Sequence, residues 1–140
     1  MILFSYGSNY PARLAERLGH GVETWRASAP GYERVFRGYS TRWGGGVASL
    51  LQSVGAETLG HVTQVTEDDL RVLDAREGVP NAYTRVVIPV FTDHGLIDAW
   101  AYIARSTTFY APTQAYLEAC AQTISAHSWK PVSWQDIQVR

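Results

Sequence analysis

Cysteine is almost missing from this chain: Cys120 stands alone among 140 residues. A single thiol excludes an internal disulfide framework and suits a reducing compartment. Long apolar runs are missing too, and nothing approaches the roughly 20 apolar residues of a membrane-spanning helix. The opening Met1-Ile2-Leu3-Phe4-Ser5-Tyr6-Gly7 lacks a basic flank, and its apolar stretch is too short for a secretory leader. Nor is there an excess of charge. The formal net charge of -1 offers no global attraction to nucleic acid or an anionic membrane. Repeats, low-complexity segments and linkers are all absent. The expectation is one cytoplasmic domain over residues 1–140, with neither a nucleic-acid nor a membrane partner. A hydrophobic content of 46% against 18% charged residues is enough for a folded core at this length.

What is present reads as strands with helices set between them. Ile2 to Ser5 is a short apolar run ending near Gly7, as in a buried strand entering a tight loop. A helix should follow, with Asn9 as N-cap, Pro11 just inside, Leu14 and Leu18 on one face, and Gly19 as the stop. Trp25 to Tyr39, broken at Pro30-Gly31, predicts two short strands. Val47 to Leu51 and Thr58 to Thr66 predict two more, turned at Gly55. At Thr66-Glu67-Asp68-Asp69 the pattern changes to a capping-box start, with Leu70 and Leu73 on the buried face and Gly78 and Pro80 at the end. Tyr83 to Phe91 and Ile97 to Ala104 read as strands hinged at Asp93-His94-Gly95. Pro112 opens a last amphipathic helix carrying Leu117, Cys120, Ala121 and Ile124. About six strands and three helices predict an α+β fold, and glycines at strand ends suit a curved, barrel-like sheet.

Glu77 is the most informative residue. It lies four positions after Leu73 and seven after Leu70, so a carboxylate shares an otherwise apolar helix face. It also sits in the last turn, where the helix dipole disfavours negative charge. Either it is aimed into a cavity, or it reaches solvent and pairs with Arg76 or Arg85. Tyr6-Gly7-Ser8-Asn9, at a strand-to-helix junction, could present backbone amides to a carboxylate or oxyanion, or could be a plain helix cap. The stretch Trp25 to Trp43 holds Arg26, Arg34, Arg37 and Arg42 against Glu33, and reads as an anion-binding face or as ordinary outward strand positions. His20, His61, His94 and His127 have no short ligand spacing, so no metal is expected. Nothing calls for another cofactor. Cys120 falls in an apolar helical stripe and should pack rather than react.

At these residues the sequence resembles the gamma-glutamylcyclotransferase-like superfamily. Phe4-Ser5-Tyr6-Gly7-Ser8-Asn9 is similar to its Tyr-Gly-Ser-Asn signature, and Gly45-Gly46-Val47-Ala48-Ser49 to its second glycine-rich strand. Leu73-Asp74-Ala75-Arg76-Glu77-Gly78 resembles the Leu-Asp-x-x-Glu-Gly segment, Ala101-Tyr102-Ile103 a pocket strand, and Pro112-Thr113-x-x-Tyr116 the opening of the last helix. The likeness runs in order from Leu3 to about Ile124. It implies a small barrel-like mixed sheet with flanking helices. It implies Glu77 as catalytic acid-base, and Ser5, Tyr6, Gly7, Ser8, Asn9 and Tyr102 as substrate-binding residues. The implied reaction converts a small-molecule γ-glutamyl amide to 5-oxoproline and a free amine. Two alternatives stay beside it: a cyclotransferase acting on a γ-glutamyl tail of a modified amine or biosynthetic intermediate, and a non-catalytic small-ligand binding module of the same fold. Tyr10 stands where leucine usually follows the signature, and Asn9 stands where the glutathione-specific branch carries leucine. The leaving amine and the oligomeric state are left open.

Overall fold

The computed structural model describes residues 1–140. Its strands are β1 (Ile2–Ser5), β2 (Trp25–Ser40), β3 (Gly45–Gln64), β4 (Tyr83–Thr92) and β5 (Gly95–Ala104). Its helices are α1 (Pro11–Leu18), α2 (Glu67–Glu77) and α3 (Gln114–Ser125). The strands close into a barrel in the order β1-β3-β2-β4-β5. Neighbours run antiparallel except β1 and β5, which meet in parallel at Leu3 and Trp100. This is the α+β barrel with flanking helices that the sequence led us to expect.

The strand count is five, because the Pro and Gly signals inside β2 and β3 mark bends and not ends, so that each pair of segments read there is one long strand. β2 pairs with β3 on both sides of Pro30-Gly31, with Pro30 opposite Glu57 and Tyr32 opposite Gln52. The chain between Gln52 and Glu57 bulges out around Gly55, and both Gly31 and Gly55 take positive φ (78° and 81°). A bulge lets a long pair of strands twist hard enough to close a small barrel. Thr66 leaves β3 and becomes the N-cap of α2, completing a reciprocal capping box with Asp69.

Asn9 does not cap α1. Tyr10 holds that position without a side-chain cap bond, and Pro11 supplies the helical φ at the first turn. Asn9 is thereby freed for the site. One apolar cluster fills the barrel and the underside of α3, through Phe4, Phe36, Ile88, Val90, Tyr116 and Cys120. A second joins α1 and α2 to the outside of the barrel through Leu3, Leu14, Leu70, Leu73 and Tyr102. That second cluster fixes α2 against the end of β1, and so sets Glu77 opposite the loop that follows β1. No helix is long and apolar enough to cross a membrane.

Candidate active site

The loop after β1 is held from behind by its carbonyls. Arg34 Nε donates to the Tyr6 carbonyl at 3.0 Å, Thr123 Oγ1 to the Gly7 carbonyl at 2.6 Å, and His61 Nε2 to the Asn9 carbonyl at 2.8 Å. That last bond requires the proton on Nε2. His61 is fully buried, and burial pushes its pKa down to about 4, so the ring is neutral. None of the turn and loop hydrogen bonds uses the amides of Gly7, Ser8 or Asn9 as donors. With the carbonyls anchored, these amides are the loop's spare donors. Gly7 owes its place to close packing and not to a left-handed φ. A Cβ there would lie 3.3 Å from the Tyr116 hydroxyl and 3.4 Å from Ala48 Cβ.

Ser5, Tyr6, Gly7, Ser8 and Asn9 line one cavity together with Glu77 and Tyr102. The structure thus brings every sequence-nominated site residue into one place. The space is about 370 Å³, part of it open to solvent. Ser5 Oγ is buried there without a hydrogen-bond partner. Glu77 comes from the last turn of α2, with its side chain 18% exposed. Asn9 Nδ2 donates to its Oε1 at 3.5 Å, and Arg17 Nη1 stands 3.6 Å from the same oxygen. Arg17 also donates to Asn9 Oδ1 at 2.7 Å, which orients the amide. The expected alternatives for Glu77, Arg76 and Arg85, are therefore not its partners. Burial raises the Glu77 carboxyl above the ordinary carboxylate range, opposed first by Arg17 and then by the Asn9 hydrogen bond.

Asp74, one turn earlier on α2, is fully engaged. Arg85 grips both its oxygens at 2.9 and 3.2 Å, and the Tyr102 hydroxyl donates to it at 2.7 Å. Tyr102 borders the cavity with its hydroxyl already turned to Asp74, and its carbonyl accepts from the Tyr6 hydroxyl. Of the two acids on this stretch, only Glu77 lines the cavity.

Sequence reasoning missed Tyr83 and Arg17. Tyr83 donates to the Ala48 carbonyl at 3.0 Å while the Ala48 amide donates to Tyr116 at 2.7 Å, so two phenols fix the cavity floor. Tyr83 has no sequence signal beyond opening a strand. Arg17 had one, a second arginine four residues after Arg13. The arginines of Trp25 to Trp43 do not act as a unit: Arg26 pairs with Asp93, Arg34 braces the loop, and Arg37 bonds the Phe36 and Arg140 carbonyls. Cys120 packs as expected, its thiol pushed up to about 12 by burial. A wider groove of about 1380 Å³, including open space, continues from the cavity past Ser8, Glu77, Tyr83 and Tyr116 toward Tyr39, Trp43 and Tyr110.

Comparison with known proteins fits this geometry. A profile of the family described as gamma-glutamyl cyclotransferase, AIG2-like, matches residues 3–131. The gamma-glutamylcyclotransferase of Mus musculus is 32% identical over 100 residues, 67% of this chain and 53% of that protein. The chain spans about half the length of that curated relative. A solved structure described as gamma-glutamyl cyclotransferase superposes with a TM-score of 0.84 at 24% identity, covering 92% of this chain and 80% of the other. The crystal structure of a Homo sapiens protein gives a TM-score of 0.83 at 25% identity, covering 91% and 80%. With the family's segments matched in order and its barrel reproduced in three dimensions, this chain belongs to the gamma-glutamyl cyclotransferase, AIG2-like family.

Proposed function

We propose that the protein is a gamma-glutamylcyclotransferase-type enzyme that converts a γ-glutamyl amide to 5-oxoproline and a free amine. The observation that carries the reading is Glu77: a half-shielded carboxylate with a raised pKa, facing a cavity rimmed by spare backbone amides. The name of the Mus musculus relative supports the same reading.

In this reaction the substrate's own α-amine attacks its γ-carbonyl. A new C–N bond closes a five-membered ring, and the old amide C–N bond breaks. Holding the glutamyl chain folded supplies much of the acceleration by proximity. Glu77 takes a proton from the α-ammonium, then returns it to the departing amine. A carboxyl with a raised pKa suits both halves, because its conjugate acid is not too strong to form. The Gly7 and Ser8 amides and the unpartnered Ser5 hydroxyl receive the substrate carboxylate or the developing oxyanion. Tyr6 and Tyr102, committed to each other and to Asp74, shape the walls. The groove beyond Glu77 accepts the amine side, and its width favours an amine larger than a bare ammonium.

The test uses matched γ-glutamyl amides with a free and an acetylated α-amine, quantifying 5-oxoproline and glutamate separately. Only 5-oxoproline, and only from the free amine, is expected. Glutamate as the main product, or cleavage of the acetylated compound, would move the assignment to a hydrolase, whose attack does not pass through that nitrogen. A binding module would give neither product.

A further inference from the structure

Beside the groove, four arginines converge on one recess. Arg13 and Arg17 come from successive turns of α1, Arg42 from the turn between β2 and β3, and Arg76 from the last turn of α2. With Glu16 they are the whole lining of a recess of about 350 Å³, including open space, that contains no apolar side chain. Arg17, Arg42 and Arg76 also line the groove itself, so the recess opens from it. The cluster is electrostatically costly. Arg13 and Arg17 are spaced i,i+4, where like charges repel; burial first, and then Arg13, Arg42 and Arg76, pull the Arg17 pKa down, with Glu77 opposing them.

The protein neutralises the cluster only in part. Arg17 leans on Glu77 and Asn9, but Arg13, Arg42 and Arg76 form no ion pair. Arg13 lies over the Trp43 ring, 4.9 Å from its centroid, and its Nε is buried without a hydrogen-bond partner. Four guanidiniums stand against two carboxylates, Glu16 and Glu77, so two positive charges remain without a counter-charge. Planar guanidiniums in a shared recess match an oxyanion by forked hydrogen bonds.

We propose that Arg13, Arg17, Arg42 and Arg76 form a subsite for a doubly charged oxyanion, a phosphate monoester or its equivalent, carried on the amine side of the substrate. The proposal rests on the cyclotransferase reading, since it is the position of Glu77 that makes the groove the amine side. It narrows the substrate class to γ-glutamyl amides of an anionic amine. A single carboxylate on that amine would leave one of the two charges unanswered.

Two measurements test it at about pH 8, where a phosphate monoester carries two charges. The first compares kcat/KM for γ-glutamylethanolamine, its O-phosphate ester and γ-glutamylglycine. The ester is expected to lead the uncharged amide by about tenfold or more, as charge-assisted hydrogen bonds would give, with the glycine compound between them. In the Arg42→Gln/Arg76→Gln double variant, both of whose positions are exposed in the parent, that ratio should collapse toward one. The second is calorimetric titration with inorganic phosphate, with acetate as the monoanion control. Phosphate should bind the parent more tightly than acetate does, and the double variant should lose it. Equal kcat/KM for all three amides overturns the subsite, as does phosphate binding that is absent or survives the double substitution. If none of the amides is turned over, the cyclotransferase reading falls, and the phosphate titration still decides the subsite on its own.

Discussion

At the scale of the residue, Glu77 concentrates the chemistry, and its environment fixes how substitution should behave. Glu77→Gln keeps the side chain's shape and its contact with Asn9, so the protein should fold while turnover drops by about 10²–10⁴-fold. Near-normal turnover in a folded variant would remove Glu77 from the mechanism. Stability should move the other way. Folding raises the Glu77 pKa, so the folded chain holds that proton more tightly than the unfolded one does. The resulting stabilisation is present below the unfolded pKa and is lost as pH rises through the folded value. At neutral pH the ionised carboxylate is thus a burden that glutamine lacks. The variant should melt no lower than the parent at neutral pH, with any advantage shrinking in acid. The parent's kcat/KM should fall on the acid side, with a midpoint above the ordinary carboxylate range. Glu77 was legible in the sequence because a charge on an apolar helix face breaks a pattern. That Asn9 and Arg17 are its partners was not. Asn9 looked like a cap, and only the packed position of Tyr10 and Pro11 shows that it is not one.

At the scale of the element, the glycine-rich start of β3 explains how the mouth of the barrel is built. A Cβ on Gly46 would lie 1.9 Å from the Tyr110 carbonyl oxygen, because the 105–113 segment crosses directly over it. The Gly46 amide donates to the Ala111 carbonyl at 3.0 Å, which ties the crossing down. Gly46→Ala must displace backbone and should cost roughly 1–3 kcal/mol. A denaturation midpoint equal to the parent's would contradict that close approach. The three helices, the capping box of α2 and the glycine stops of α1 and α2 could be read from the sequence, since those signals are local, but the start of α1 was misplaced by one residue. The two long strands could not. Pro30-Gly31 and Gly55 carry the same composition whether a chain turns back or merely bulges, and only the resumed pairing of Pro30 with Glu57 distinguishes the two.

At the scale of the whole molecule, His61 links the barrel to its acid stability. The ring is buried, donates to the Asn9 carbonyl, and leaves Nδ1 without a partner. Its pKa of about 4 in the folded state, against 6.5 when free, means stability is complete above the free value and lost as pH falls through the folded one. The loss should reach about 3 kcal/mol between those limits. His61→Gln, which offers a neutral donor, should flatten this dependence, measured by denaturation midpoints at about pH 7 and about pH 4. Equal acid sensitivity in both proteins would show that His61 is not the cause. The barrel-like sheet was foreseen from glycines at strand ends, but not the order in which its strands pair. Pairing between strands so distant in sequence leaves no local trace.

That order bears on how the protein comes into being. β1, from which the signature loop hangs, lies between β3 and β5 and gains its parallel neighbour only at Trp100. Leu3 and Trp100 stand roughly a hundred residues apart, a separation that makes folding slow and places its entropic cost before its reward. A nascent chain emerging from the ribosome therefore holds its first strand half-paired until β5 has been synthesised. Until then the pocket has no Tyr102 wall, and the apolar inner face of β1 is open to whatever else it meets. β5 brings the Tyr102 wall and α3, later still in the chain, brings Tyr116 and the Thr123 brace on Gly7, so the cavity is closed by the last segments to be synthesised.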